Sequence, residues 1–391
     1  MLKRLLAAAL QMGLGLAAGL FLLELVVRLD PQLLIPGTPL PGSLDPPVAS
    51  QTYTVRYSDG DTLFWRPDLV RPIPAAADQV EAVVTLQTDE FGFRNPPPIP
   101  AKVDVVVLGR STSLGAQAAQ PWPQQLAAAT GWYVLNLAQP GGGLDTIHQV
   151  FKIYGQPRHP TWVIFEVAPR IDVGDTAEPA LRLEGVSIPL VQYLARRLSG
   201  DRFFRLSAQP IYPLPVSLPG RTLGLSCCIR YMDFLALSQA EIEGSHEWTT
   251  FSEQALSLAS DARASGSCVA VLYAASKEEV YFTAALDPAQ LAPTVRDVVP
   301  LHLDELGHLS PAVGKTVDPV ALQRTILAGR DAAAALAQKA GLLFVDPTAA
   351  FVQSVAAGQD PFMVYDSHWN ALGHQLIASQ MARALQGRAC P

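Results

Sequence analysis

Residues 103–115 read VDVVVLGRSTSLG, an apolar strand that runs straight into a turn of small residues. Five of the first six positions are apolar and four are valine, the pattern of a strand covered on both faces in a parallel sheet. Gly109 permits a sharp turn, and Ser111 stands just beyond the carboxyl end of the strand, where open α/β sheets hold their ligands. A hydroxyl there can act as a nucleophile if a histidine reaches it. Downstream, the segment suited to supply one is Asp366-Ser367-His368-Trp369-Asn370, in the last tenth of the chain.

Outward from this strand, apolar runs alternate with helical patterns. A helix is expected over 121–130, opened by Pro121-Trp122-Pro123, with proline tolerated in a first turn. A second strand, 132–137, empties into Asn136-Leu137-Ala138-Gln139-Pro140-Gly141-Gly142-Gly143, a loop whose backbone can approach a ligand closely. A helix over 144–154 and a strand over 161–167 follow. Short β-α-β-α-β connections imply a parallel sheet with right-handed crossovers. Residues 176–250, with Pro210, Pro213, Pro215 and Pro219, lose the rhythm and read as an irregular insertion. A helix over 250–265 and a strand over 268–274 restore it. Residues 288–314 are again irregular, before a helix over 318–340, a strand over 342–345 and a closing helix over 371–385.

Before the sheet lie other features. Lys3 and Arg4 precede an apolar run from Leu5 to Leu23 whose polar interruption is Gln11 and which Glu24 closes; it is long enough to cross a bilayer, the membrane contact being taken as Leu5 to Val27. The basic pair, and the lack of Lys or Arg between Arg28 and Arg56, place the N-terminus in the cytoplasm and the rest outside. A cleaved signal peptide is the competing reading, but the run is long for one and Phe21-Leu22-Leu23-Glu24-Leu25 is no cleavage site. The expected organisation is an anchor over 1–30, a Pro-rich spacer over 31–50 and one α/β domain over 51–391. That domain includes an N-terminal extension over 51–100, in which 52–57 and 62–65 read as a hairpin around Ser58-Asp59-Gly60-Asp61.

The 391 residues carry a formal charge of −7 with 16% charged residues and no basic cluster, which argues against nucleic-acid binding. Cys227, Cys228, Cys268 and Cys390 are compatible with an oxidising compartment and show no zinc spacing. Pairing of either adjacent cysteine with Cys268 or Cys390 stays open. His302 and His308 flank Asp304 and Glu305, a weak metal pattern.

The arrangement of Gly109-Arg110-Ser111, the Asn136 to Gly143 loop and Asp366/His368 resembles the SGNH (GDSL-type) serine esterase and acyltransferase superfamily. The resemblance spans roughly 85–175 and 265–386 and includes Gly92-Phe93-Arg94 before the first strand. It implies a flavodoxin-like three-layer α/β/α sandwich with a mainly parallel sheet, preceded here by one N-terminal transmembrane helix. It further implies Ser111 as nucleophile, His368 as base, Asp366 as the group orienting it, and the Gly141 and Ser111 N–H groups as oxyanion donors. No cofactor is implied. Arg110 stands where the family has Asp. Phe165-Glu166-Val167-Ala168-Pro169-Arg170 replaces the block that supplies an oxyanion-hole Asn, and the terminal spacing is Asp-x-His. Gly-x-Ser, Glu-x-x-x-Arg and Asp-x-His-Trp together are similar to the alginate O-acetyltransferase-like branch, in which Asp-x-His often precedes the serine instead of following it.

Each residue has a plainer reading beside this. Ser111 can cap a helix, His368 can be a structural histidine, and His374 fits a helix face. Trp122, Trp132 and Tyr133 fit a core. Arg110 or Arg170 can serve as an oxyanion donor through its guanidinium; the alternative for Arg170 is an ion pair with Glu166. The expected function is acyl (acetyl) transfer or ester hydrolysis on cell-surface carbohydrate by an outward-facing, membrane-anchored enzyme, with a membrane-embedded acyl donor protein as a candidate partner. The alternative is a non-catalytic relative that binds glycans or an envelope partner.

Overall fold

The computed structural model describes residues 19, 51–56, 63–65, 80–139, 143–174, 214–226, 234–285, 301–312, 314–363 and 367–388. The anchor, the spacer and much of the insertion lie outside them. Among the described residues no helix is long and apolar enough to cross a membrane. One compact unit comprises Asp45–Ala177 and Ile211–Pro391, so the 51–100 stretch and the sheet belong together. The remaining unit, Met1–Leu44 with Glu178–Pro210, falls outside the described residues apart from Gly19.

In chain order the strands that precede the sheet are β1 (Gln51–Arg56), β2 (Leu63–Trp65) and β3 (Val80–Leu86). The first half of the α/β unit comprises β4 (Val105–Leu108), α1 (Ser111–Leu114), α2 (Trp122–Thr130), β5 (Val134–Asn136), α3 (Leu144–Val150) and β6 (Trp162–Val167). Then come the strands β7 (Leu214–Leu218) and β8 (Arg221–Ser226) and the helices α4 (Gln239–Glu243) and α5 (His246–Ala264). They lead to β9 (Cys268–Tyr273), α6 (Lys277–Ala284) and a small hairpin, β10 (Leu301–Leu303) with β11 (Leu309–Pro311). The chain closes with α7 (Pro319–Thr325), α8 (Ala328–Lys339), β12 (Leu343–Val345), α9 (Thr348–Ala356) and α10 (Ala371–Leu385).

The five central strands lie in the order β12-β9-β6-β4-β5, every pair parallel. Counted along the chain this is the 2-1-3-4-5 order of flavodoxin-like folds, whose switch point falls between β4 and β6. Right-handed crossovers put α2 on one face and α3, α5 and α8 on the other. The packing agrees, with α2 against α10 and α3 against α5. β4 is fully buried at each position, as a strand with helices on both faces must be.

Several expectations are corrected. The strands read as one hairpin do form, but not with each other: β1 pairs antiparallel with β3, and β2 pairs with β8, which also pairs with β7. Local β-propensity marks a strand without naming its partner. Within the supposedly irregular 176–250, the β7–β8 hairpin turns at Pro219-Gly220, and α5 begins at His246, capped by Ser245, four residues before the expected start. The helix expected over 318–340 is broken into α7 and α8 at Ile326-Leu327. α6 and α9 were not anticipated. Cys268 is disulfide-bonded, and the other cysteines lie outside the described residues.

Candidate active site

Ser111 opens α1, three residues after β4 ends, with Gly109 and Arg110 making the turn. The helix is a single turn, closed by Gly115 in the left-handed region (φ +63), which favours glycine. A Cβ there would also sit 2.5 Å from Pro121 Cβ. At Gly109 a Cβ would lie 2.8 Å from Ser113 Cβ and 2.9 Å from Glu166 Oε2, so the turn tolerates no larger residue without moving.

That close approach exists because Glu166 anchors the turn. Leu108 pairs with Phe165 in the sheet, so the next residue of β6, Glu166, projects beside Gly109. Its carboxylate, 2% exposed, accepts hydrogen bonds from the Thr112 and Ser113 hydroxyls, and Ser113 Oγ in turn accepts from Trp122 Nε1 at 3.1 Å. Burial raises its pKa, while the two hydroxyls and Arg110 work in the opposite direction. The Glu166–Arg170 ion pair expected from sequence does not form. The chain turns at Ala168-Pro169, and Arg170 lies instead 3.6 Å from Glu278, a fully buried carboxylate on α6. Arg110 pairs with Asp172, whose other oxygen accepts the Ala168 N–H at 2.7 Å.

His368 arrives on a loop fixed at both ends. Its carbonyl accepts the Met363 N–H at 2.9 Å, and Phe362 and Trp369 form an antiparallel bridge. Trp369 is buried edge-on against Phe351. Asn370 caps α10 by accepting from the Leu372 and Gly373 N–H groups at 3.0 and 3.1 Å. Its amide donates back to the carbonyls of Asp360 and Phe362 at 2.7 and 2.9 Å. The result is a 2.8 Å contact between His368 Nε2 and Ser111 Oγ, residues 257 apart in sequence.

A hydroxyl held at that distance from an imidazole nitrogen can pass its proton to it as the oxygen attacks an electrophile. Asp366 and Gly141 lie outside the described residues. His374, expected on a helix face, is buried, and its Nδ1 accepts the Trp122 N–H at 3.2 Å. Trp122 is fully buried, with Trp132 and Tyr133 half-buried around the same core. His302 Nδ1 lies 2.8 Å from the Ser310 carbonyl, and His308 Nδ1 lies 3.1 Å from Glu247 Oε1. Among the described residues no group of three or more His, Cys, Asp or Glu side chains is arranged to hold a metal.

Two supports escaped the sequence reading. Arg94, buried, donates to the carbonyls of Leu114, Gly115, Ala118 and Ala119 and so fixes the far end of the Ser111 turn. Asn95 exchanges hydrogen bonds with the backbone of Asn136 and donates to Asp89 Oδ2, while Asn136 Nδ2 donates to the Ser113 carbonyl at 3.0 Å. Gly92-Phe93-Arg94 is visible as a motif, but nothing local says which carbonyls a guanidinium will find.

No protein-family model matches the sequence, and no curated protein does either. Solved structures of related shape include an acetyl xylan esterase, AlAXEase, at 11% identity over 72% of this chain and 100% of that one, with a TM-score of 0.37. A variant of an acetyl-xylooligosaccharide esterase from Geobacillus Stearmophilus gives 12% identity over 74% and 96%, with a TM-score of 0.37. A lipase/acylhydrolase from Enterococcus faecalis gives 10% identity over 73% and 96%, with a TM-score of 0.34. Likenesses this slight leave the functional reading to the chain's own residues.

Proposed function

We propose that this chain is an SGNH-type serine esterase or O-acyltransferase, with Ser111 as nucleophile and His368 as general base. The observation that carries the reading is the 2.8 Å Ser111 Oγ–His368 Nε2 contact at the carboxyl end of a central parallel strand. Ser111 Oγ attacks the carbonyl carbon of an ester as its proton passes to Nε2. The oxyanion hole is assigned to the Ser111 N–H and, by the family resemblance, to the Gly141 N–H, each such donor contributing roughly 10²–10³ in rate. His368 then returns the proton to the departing alcohol, leaving an acyl-serine. Water, or the hydroxyl of an acceptor, attacks that ester with His368 again taking the proton, and the acyl–Oγ bond breaks as His368 returns the proton to Ser111. Asp366, two residues before the base, is assigned to hold the imidazole tautomer, a role worth about 10⁴ in turnover.

In the same reading the substrate is an O-acyl group, acetyl by preference, on carbohydrate outside the cell. The domain is tethered by the apolar N-terminal stretch, and a membrane-embedded protein supplies the acyl group if transfer is the reaction. A disulfide at Cys268 supports an oxidising compartment. The branch similar to alginate O-acetyltransferases supports carbohydrate as the acceptor. Arg110, neutralised by Asp172, is assigned to holding the turn, and Arg170, facing Glu278, to the wall of the site.

Treatment of the purified protein with a fluorophosphonate probe tests the chemistry. Wild type should label covalently, and Ser111→Ala and His368→Ala should not. Absence of labelling in folded wild type would favour the non-catalytic glycan- or partner-binding reading. That reading draws on Arg110, which stands where the family has Asp, and on the 165–170 stretch, which lacks the oxyanion-hole Asn.

A further inference from the structure

We propose that Lys277 is a positioning residue for His368, acting through the carbonyl of Met363; this rests on the reading of Ser111 and His368 as nucleophile and base. Lys277 is the first residue of α6, after the cap Ser276, and it is 0% exposed. Glu278 and Glu279 beside it are also buried, and the three side chains diverge. Glu279 turns back to accept from the Tyr273 hydroxyl and the Ser276 N–H. Glu278 faces Arg170. Lys277 Nζ reaches the loop that carries the base and donates to the Met363 carbonyl at 2.5 Å.

Met363 is the residue that grips His368 directly, its N–H bonded to the His368 carbonyl at 2.9 Å. The ammonium therefore holds one side of a peptide unit whose neighbour holds the imidazole's own backbone. One turn further along α6, Tyr281 donates to Asp360 Oδ1 at 2.7 Å, and the Asp360 carbonyl accepts the Asn370 amide. Lys277 and Tyr281, four apart on one helix, thus pin the loop at 363 and at 360.

The position carries two costs that the ammonium's interactions must offset. A cation in a helix's first turn opposes the macrodipole, and an ammonium removed from water is expensive unless its donors are satisfied. An apolar side chain would fill the volume without either penalty. What an apolar side chain cannot do is fix the Met363 carbonyl. A 2.8 Å proton-transfer contact between distant chain segments needs that sort of fixing, because a misplacement of about 1 Å can cost on the order of 10² in rate.

The test uses the full-length chain and the pH dependence of fluorophosphonate labelling in wild type, Ser111→Ala, Lys277→Met and Lys277→Gln. The expected result is that folded Lys277→Met, with cooperative melting, labels at least tenfold more slowly and with a displaced apparent pKa. Lys277→Gln, which retains a donor, should recover part of the rate. A folded Lys277→Met that labels within tenfold of wild type at an unchanged apparent pKa overturns the proposal. If Lys277→Met does not fold, Lys277→Gln is expected to label more slowly than wild type with a displaced apparent pKa, and a folded Lys277→Gln identical to wild type in both overturns the proposal. Failure of both to fold assigns Lys277 to the stability of α6 and also overturns it. Wild type that does not label, or labelling that survives Ser111→Ala, refutes the nucleophile and takes the role of Lys277 with it. Failure of Lys277 alone looks different, since wild type then labels and Ser111→Ala does not.

Discussion

Replacing His374 by asparagine should flatten the acid limb of the protein's stability. The imidazole is 1% exposed on α10, beside Gly115 and the Trp369 ring, with Nδ1 accepting the Trp122 N–H. Burial, and then the nearby Arg94 cation and the His368 ring, push its pKa down to about 3. The folded protein therefore refuses a proton that the unfolded chain takes up near pH 6.5. A base with a depressed folded pKa stabilises fully above the unfolded value and loses that contribution as pH falls. At about 1.36 kcal/mol per pH unit below 6.5, the loss between pH 8 and pH 5 is about 2 kcal/mol. The figure does not depend on the folded pKa so long as it stays below roughly 4. Asparagine offers its Oδ1 near the position of Nδ1, so the Trp122 bond can persist while the titration disappears. The smaller side chain should lower stability by a similar amount at both pH values, on the order of 1–2 kcal/mol. Urea unfolding at pH 8 and pH 5 measures the difference directly. A His374→Asn variant with the same drop between the two pH values as wild type would refute the assignment of that drop to a buried neutral imidazole.

Gly373→Ala should destabilise although alanine is normally worth about 1 kcal/mol more than glycine within a helix. The new Cβ would meet the Pro361 carbonyl oxygen at 2.2 Å and strain the Asn370 N–H bond to that oxygen. A net loss of about 1–3 kcal/mol is expected, and a raised Tm would contradict it. Arg94→Met should cost about 3–5 kcal/mol, since it strands several buried carbonyls at the end of the Ser111 turn; denaturant midpoints unchanged from wild type would count against that anchoring role. Glu166→Gln has a sign set by pH. The folded carboxyl has a raised pKa, so its contribution is present below about 4.5 and is lost as pH rises through the folded value. The variant should therefore gain on wild type as pH climbs from 4 to 8, and a difference in stability that does not vary with pH would show the reasoning wrong.

The α/β rhythm was legible because each strand and helix is marked by its own periodicity and punctuation. The valine run before Ser111, the proline at the start of α2, and Asn370 ahead of α10 fall where the sequence puts them. Ser111 and His368 could be named as a pair because few residue types perform the chemistry and the strand–turn–helix places one of them at the sheet's rim. Partner choice was not legible. The 52–57 and 62–65 segments are strands by composition, yet they pair with β3 and β8, and the turn after β6 sends Arg170 to Glu278 and leaves Glu166 to the Thr112 and Ser113 hydroxyls.

By itself, then, the sequence determined the five sheet strands, most of the helices around them and the parallel order of the sheet, all of which follow from local propensity and pattern, and it singled out Ser111 and His368 as the side chains to look for together. Tertiary structure alone decided that Lys277, Glu278 and Arg94 are buried and what each holds, and that His368 Nε2 stops 2.8 Å from Ser111 Oγ. The physical reason is that a buried polar group must find a partner or forfeit the stability its hydration supplied. Those partners are brought within reach by chain segments tens to hundreds of residues away, which no local window can contain.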